Sequence, residues 1–192
     1  MQKFLFSLFF LGFTINLFAQ CKPATIEDKF TKAKQVFYSG VIEDDGLFSD
    51  GKSKTINMIV GTENDTLYAI ITIFRSIDKD NKDRIDDTKE DFKVDKGQNI
   101  YLALKNNETV KLTALQNSTM TKKNSFGAKD INVFIILSLT KEQLLLLSKD
   151  EITDYRIELS STAPLQNKVK SKKARTLLDI FKCANKDFVV KN

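Results

Sequence analysis

The chain of 192 residues sets 30 Lys and Arg against 25 Asp and Glu, a formal charge of +5, and contains no histidine. Without an imidazole there is no Ser-His-Asp or Cys-His nucleophile, no His-ligated zinc and no histidine proton shuttle; two distant cysteines make no four-thiolate zinc site, and seven scattered glycines form no phosphate loop. The interspersed charges argue against nucleic acid as a partner, and carboxylate-only chemistry, such as that of a paired Asp/Glu hydrolase, is what remains open to an enzyme.

Residues 1–20 have the layout of a secretory signal peptide. Lys3 gives the positive start, and an apolar run from Phe4 to Phe18 is broken only by Ser7, Gly12, Thr14 and Asn16, with Ala19 and Gln20 before the chain turns polar. A run of about 15 residues is short of the roughly 20 that a membrane-spanning helix needs. Cleavage after Ala19 or Gln20 removes the single charge of Lys3, taking +5 to +4 for the mature chain.

Cys21 then stands at or next to the new N-terminus, and three readings are open. An even cysteine count in an exported chain fits one disulfide, Cys21 to Cys183, which by chain entropy is worth about 5 kcal/mol for so long a loop. The position also suits a lipoprotein anchor, although Gln20 replaces the small residue that usually precedes a lipidated Cys. The third reading is a frayed thiol at Cys21 and a buried one at Cys183.

From there a single domain is expected over residues 21–192, with no linker or repeat to divide it. Thr25 to Phe37 reads as a helix, because Ile26, Phe30, Ala33 and Phe37 share a face and Thr25 with Asp28 can cap it. GVIE (40–43) and KTINMIV (54–60) read as strands. TLYAIITIFR (66–75) is apolar on both alternating faces, as an interior strand should be. IYLALK and TVKLTAL form a hairpin around Asn106 and Asn107, residues that tolerate a positive φ.

QNSTMTKKNSFGAK (116–129) reads as a polar loop, mobile and binding or simply tolerated. INVFIILSL (131–139) is a further buried strand. Thr140 with Gln143 then forms a capping box for a short helix near 141–148. ITDYRIELS (152–160) puts Tyr155, Ile157 and Leu159 on one face and Arg156 and Glu158 on the other, a half-exposed strand. A last amphipathic helix is expected from about 169 to 186, with Ala174, Leu177, Leu178 and Phe181 as its stripe and Cys183 turned toward the body. The sum is an α+β domain, mostly an antiparallel sheet or sandwich with helices at the ends of the chain.

Two stretches are chemically loaded. In DKDNKDRIDDTKEDF (78–92), Asp78, Asp80 and Asp86 are spaced like the ligands of a calcium loop, with Ile85 at its apolar position. Lys82 and Lys89 replace two of the ligands, however, and Asp83 replaces the turn glycine, which favours a solvated loop over a weak calcium site. KVKSKKAR (168–175) offers Lys172, Lys173 and Arg175 to an acidic partner, lipid headgroups or polysaccharide, or forms the wet face of the terminal helix.

LTKEQLLLLSKDEITDYRIEL followed by KKARTLLDIFKCANK resembles the C-terminal part of small exported proteins of Gram-negative bacteria, in which a short helix, an Ile-x-x-x-Arg strand and a final helix near a Cys follow a β-rich body. Ile152 and Arg156 match that strand, and Cys183 matches the terminal position. The resemblance implies an envelope location and an α+β fold, with no activity attached. The function expected is that of a periplasmic or secreted protein binding or supporting another envelope component without catalysis, touching membrane only if Cys21 is lipidated. A weak calcium-binding protein and a carboxylate-dependent hydrolase are the alternatives.

The mass of the intact protein from its host, before and after reduction, separates the readings of Cys21. A chain cut after Ala19 or Gln20 that gains one pair of hydrogens on reduction is the expected result and establishes the bridge. Added diacylglycerol on a chain beginning at Cys21 replaces the bridge with a membrane anchor.

Overall fold

A computed structural model of the protein describes residues 23–27, 34–45, 52–63, 66–78, 92–125, 128–160 and 162–190. Ten described strands join one sheet: β1 (Ala24–Glu27), β2 (Lys34–Asp45), β3 (Lys52–Glu63), β4 (Thr66–Asp78), β5 (Asn99–Leu104), β6 (Thr109–Ala114), β7 (Thr119–Ser125), β8 (Ala128–Ser138), β9 (Ile152–Ile157) and β10 (Leu165–Lys168). Two helices accompany it, α1 (Lys141–Leu147) and α2 (Ser171–Asn185), the second prolonged by a π-helical turn over Lys186–Val190. The order across the sheet is β1-β2-β3-β4-β8-β6-β5-β9-β10, with β7 also on β8 and every pairing antiparallel. The sheet dominates, so the expected α+β balance gives way to a mostly antiparallel sheet that carries two helices, the terminal one among them.

Alternation builds the core. Ile56, Met58 and Val60 of β3, Ala69, Ile71 and Ile73 of β4, and Ile131, Val133, Ile135 and Leu137 of β8 all point to one face and are buried. The β4 ladder runs unbroken on both sides, against β3 and β8, as its two-faced apolar sequence predicts. The β5–β6 hairpin turns at Asn107, whose φ is 69°, and an Asx bond from the Glu108 amide to Asn106 Oδ1 at 2.9 Å holds the turn. α1 starts on the expected capping box: Thr140 Oγ1 accepts from the Gln143 amide at 3.2 Å, and Gln143 Oε1 accepts from the Thr140 amide at 2.8 Å.

Three expectations change. The helix over Thr25 to Phe37 is replaced at its described ends by β1 and the start of β2, which pair with each other from Ala24↔Phe37 to Glu27↔Lys34. Pairing along β3 rewards the period-two run of Tyr38, Gly40 and Ile42, which outweighs a marginal helical stripe. The polar loop at 116–129 contains β7, whose backbone pairs along much of the stretch of β8 that β6 leaves open. Polar side chains are no obstacle where the ladder does the pairing. Leu165–Lys168, which carries no strand signature in the sequence, forms β10 on β9.

α2 lies on the concave face along β2. Its Ala174, Leu177, Phe181 and Ala184 are buried, and a Cβ at Gly40 would stand 2.7 Å from both Leu177 Cδ2 and Ile180 Cδ1, so the bare glycine lets helix and strand approach closely. Farther along, the Tyr38 and Phe188 rings meet edge-to-face at 5.7 Å. Cys183 is buried on this helix; Cys21 and residues 1–20 lie outside the described residues. No described helix is long and apolar enough to cross a membrane.

Because α2 contacts β2 and β9, it bridges strands from opposite ends of the sheet, and its large side chains hold both. Truncating Phe181, which is 1 % exposed, to Ala should cost about 3–5 kcal/mol. Urea unfolding checks this by a lowered midpoint at constant slope. An unchanged midpoint would show that α2 is not part of the cooperative core.

Candidate functional site

Two polar assemblies stand out, one inside the curl of the sheet and one outside it. The inner assembly begins with an irregularity in β2. Val41 pairs with Asn57 and Glu43 with Ile56, so Ile42 is an extra residue and the strand bulges there. Strict alternation would send Glu43 outward with Val41. The bulge turns it inward, where it is only 5 % exposed.

There Glu43 Oε2 accepts a hydrogen bond from the Tyr155 hydroxyl, on β9 near the other end of the strand order. Glu43 Oε1 lies 2.6 Å from Lys54 Nζ as an ion pair without good hydrogen-bond alignment. Asp45 completes the group. Burial pushes the Glu43 carboxyl up, but the hydrogen bonds with Asp45 and Tyr155 and the adjacent Lys54 ammonium outweigh it and leave Glu43 below its ordinary value. Asp45 is raised, first by the hydrogen bond it shares with Glu43 and then by burial. Burial and the Glu43 carboxylate likewise raise Tyr155.

The first turn of α2 flanks this cluster. Lys170 Nζ is 3.8 Å from Asp45 and Lys173 Nζ is 3.7 Å from Asp44, while Arg175 Nε lies 3.5 Å from Glu151. Much of the basic segment 168–175 is therefore engaged with the chain's own carboxylates. A second tyrosine repeats the theme: the Tyr38 hydroxyl bonds Asp187 in the π-helical turn, and its pKa is raised by burial and by that carboxylate.

The outer assembly is a groove of 610 Å³ over β5, β9 and β10. Three strands of alternating side chains supply it. On the solvent face Tyr101 stands opposite Arg156, which stands opposite Gln166; one step along, Ala103 faces Asp154, which faces Lys168. Glu158 extends the row on β9 and also lines the groove. Between Ala103 and Leu104 the β5–β9 register shifts, a bulge at the groove's edge. Among the described residues, Asp154, Arg156, Glu158 and Lys168 make no side-chain hydrogen bond or ion pair with one another or with any other group.

Of the residues singled out in the sequence, Asp78 closes β4, while Asp80 and Asp86 lie outside the described residues, as does Cys21. Among the described residues no group of three or more Cys, Asp or Glu is placed to hold a metal ion. The structure thus gathers residues that sequence reasoning passed over. Arg156 and Glu158 were legible as the outer face of a strand, but the inward turn of Glu43 and the presence of β10 were not. No protein family, no curated protein and no solved structure matches the chain.

The bond between Glu43 and Tyr155 makes a pH-dependent contribution with a definite sign. Glu43 is held below its ordinary value in the folded chain, so its stabilisation is present above the unfolded pKa and fades as pH falls through the folded one. Asp45, being raised, acts oppositely: its contribution is present in acid and fades as pH rises through its folded pKa. Tyr155→Phe removes a donor that holds Glu43 down. The variant should lose about 1.5–3 kcal/mol at neutral pH, and its acid unfolding should begin at higher pH than the parent's. Urea titrations across acidic to neutral pH check both; equal curves would show that the bond adds nothing to stability.

Proposed function

We propose that the protein is an exported, non-catalytic binding module of the bacterial cell envelope and that the groove over β5, β9 and β10 is its contact surface. One observation carries the reading: four charged side chains and an aromatic one border a 610 Å³ groove, and none of the four charges is used by the fold. Surface charges are usually solvated singly. Here acids and bases sit on adjacent strands around one concavity, Asp154 opposite Lys168, yet remain unpaired.

The inner carboxyl pair is the other chemically loaded place in the fold, and its surroundings favour a structural role. Both oxygens of Glu43 are taken, one by Tyr155 and one by Lys54, and burial leaves little room for a substrate. The signal-like first twenty residues, the position of Cys21 and the resemblance to small exported Gram-negative proteins support the envelope location. With Cys21 bridged to Cys183 the protein is periplasmic or secreted; with Cys21 lipidated it is anchored, and the same groove serves a membrane-bound protein.

The mature chain, sedimented with isolated cell-wall sacculi and separately with outer-membrane vesicles of a Gram-negative host, should pellet with one of them. The Tyr101→Ala/Arg156→Ala double variant, on a surface the core does not use, should remain in the supernatant with an unchanged circular dichroism spectrum. Pelleting that the double variant retains in full would move the contact surface elsewhere. Release of cleaved product from either material would replace the binding reading by the hydrolase one.

A further inference from the structure

Resting on the binding reading above, we infer that the groove takes a neutral oligosaccharide, with one sugar ring on Tyr101 and its hydroxyls held by the side chains of β9 and β10. Few backbone groups beneath the groove are free. β5 pairs with β6 and β9 on its two sides, and β9 pairs with β5 and β10, so the ladder consumes the main-chain donors and acceptors of β5 and β9 at the centre of the groove, while β10, at the end of the sheet, keeps one edge open. A peptide adding as a strand would run along the outer edge of β10, beside the groove and not across its centre. Over this floor recognition rests on side chains.

Those side chains are planar and two-pronged. Arg156 carries a fork of donors, Asp154 and Glu158 each offer two acceptor oxygens, and Gln166 presents one donor and one acceptor group. Opposed residues on adjacent strands stand about 4.5–5.5 Å apart, and same-face residues along a strand about 6.6–7 Å. Neighbouring hydroxyls on a sugar ring are the groups that two-pronged partners at such spacings can hold in pairs. Tyr101 complements them: Lys111 on β6 and Arg156 on β9 stand directly opposite it, but its same-strand neighbour Ala103 is small, which leaves room on that side for the C–H face of a sugar against the ring.

Charge decides between a neutral and an ionic ligand. Arg156 and Lys168 are balanced by Asp154 and Glu158, alternating over the groove, so the site projects no field of one sign. A phosphate-rich or polyuronic chain would meet as many carboxylates as cations. A hydroxyl-rich, uncharged chain meets partners that both donate and accept. The volume, 610 Å³, lies within the range of compact ligand sites.

The test is calorimetric titration of the full mature chain with chitohexaose, cellohexaose and an oligogalacturonate of the same length. One of the two neutral sugars should bind, with an affinity unchanged between low and high salt. Tyr101→Ala should weaken it about tenfold or more, and Arg156→Gln several-fold, while Lys172→Ala on α2 should leave it unchanged. No heat from either neutral sugar at about 10 mM overturns the inference, as does binding of the oligogalacturonate alone with steep loss in salt. If the sugars fail while groove-dependent pelleting with envelope material persists, only the glycan assignment falls. If both fail, the binding reading falls with it.

Discussion

The hydrogen bond from Tyr155 to Glu43 joins β2, the second strand of the sheet, to β9, the eighth along its main path. A long antiparallel sheet twists and curls of its own accord, but nothing in the ladder fixes how far. That bond does, by tying one end of the curl to the other. It is bought with a bulge at Ile42, without which Glu43 would face water and Tyr155 would have no buried acceptor. A buried carboxylate is costly unless satisfied, and Lys54, Asp45 and Tyr155 satisfy it together. Breaking any one of them leaves the others inside a low-dielectric seam with an incomplete set of partners.

α2 completes what the bond begins. A gap between strands that do not pair must be filled, and the helix lies across it with Leu177 and Phe181 buried beneath, Gly40 giving the room. The two ends of this helix are tied to β2 by polar contacts as well, Lys170 and Lys173 reaching Asp45 and Asp44 near its start and Asp187 accepting from Tyr38 just beyond its end. Surface ion pairs of that length contribute little individually. Their value is in register: helix and strand run antiparallel with matched ends, which places each apolar side chain over its own gap.

The sequence is most legible where a single local rule governs. The two-faced run of β4, the Asn-Asn turn, the capping box of α1 and the stripe of α2 each follow from spacing alone, and each is where expected. It is least legible where a neighbour decides. β7 is polar and exists because β6 leaves most of β8 unpaired; β2 replaces a helical stripe because β3 offers it a ladder; Glu43 is interior because one residue is added to its strand. The candidate groove divides the same way. Arg156 and Glu158 alternate visibly with Tyr155 and Ile157, but Lys168 and Gln166 join them only through β10, a four-residue strand with three exposed side chains and no apolar signature.

β9 belongs to both assemblies. Tyr155 points inward to close the sheet, and Asp154 and Arg156, its immediate neighbours, point outward to line the groove. Period-two alternation makes this unavoidable: whatever fixes the inner residue fixes the direction of those beside it. The outer charges can then be left unpaired without loosening the strand, because its position is set from within by a buried hydrogen bond and by the packing of Ile152 and Ile157. A binding surface needs side chains that hold their geometry while keeping their hydrogen-bonding capacity for a ligand. A strand anchored through its inner face meets that need, and it explains why the outer cations and carboxylates of β9 and β10 stand side by side without neutralising one another.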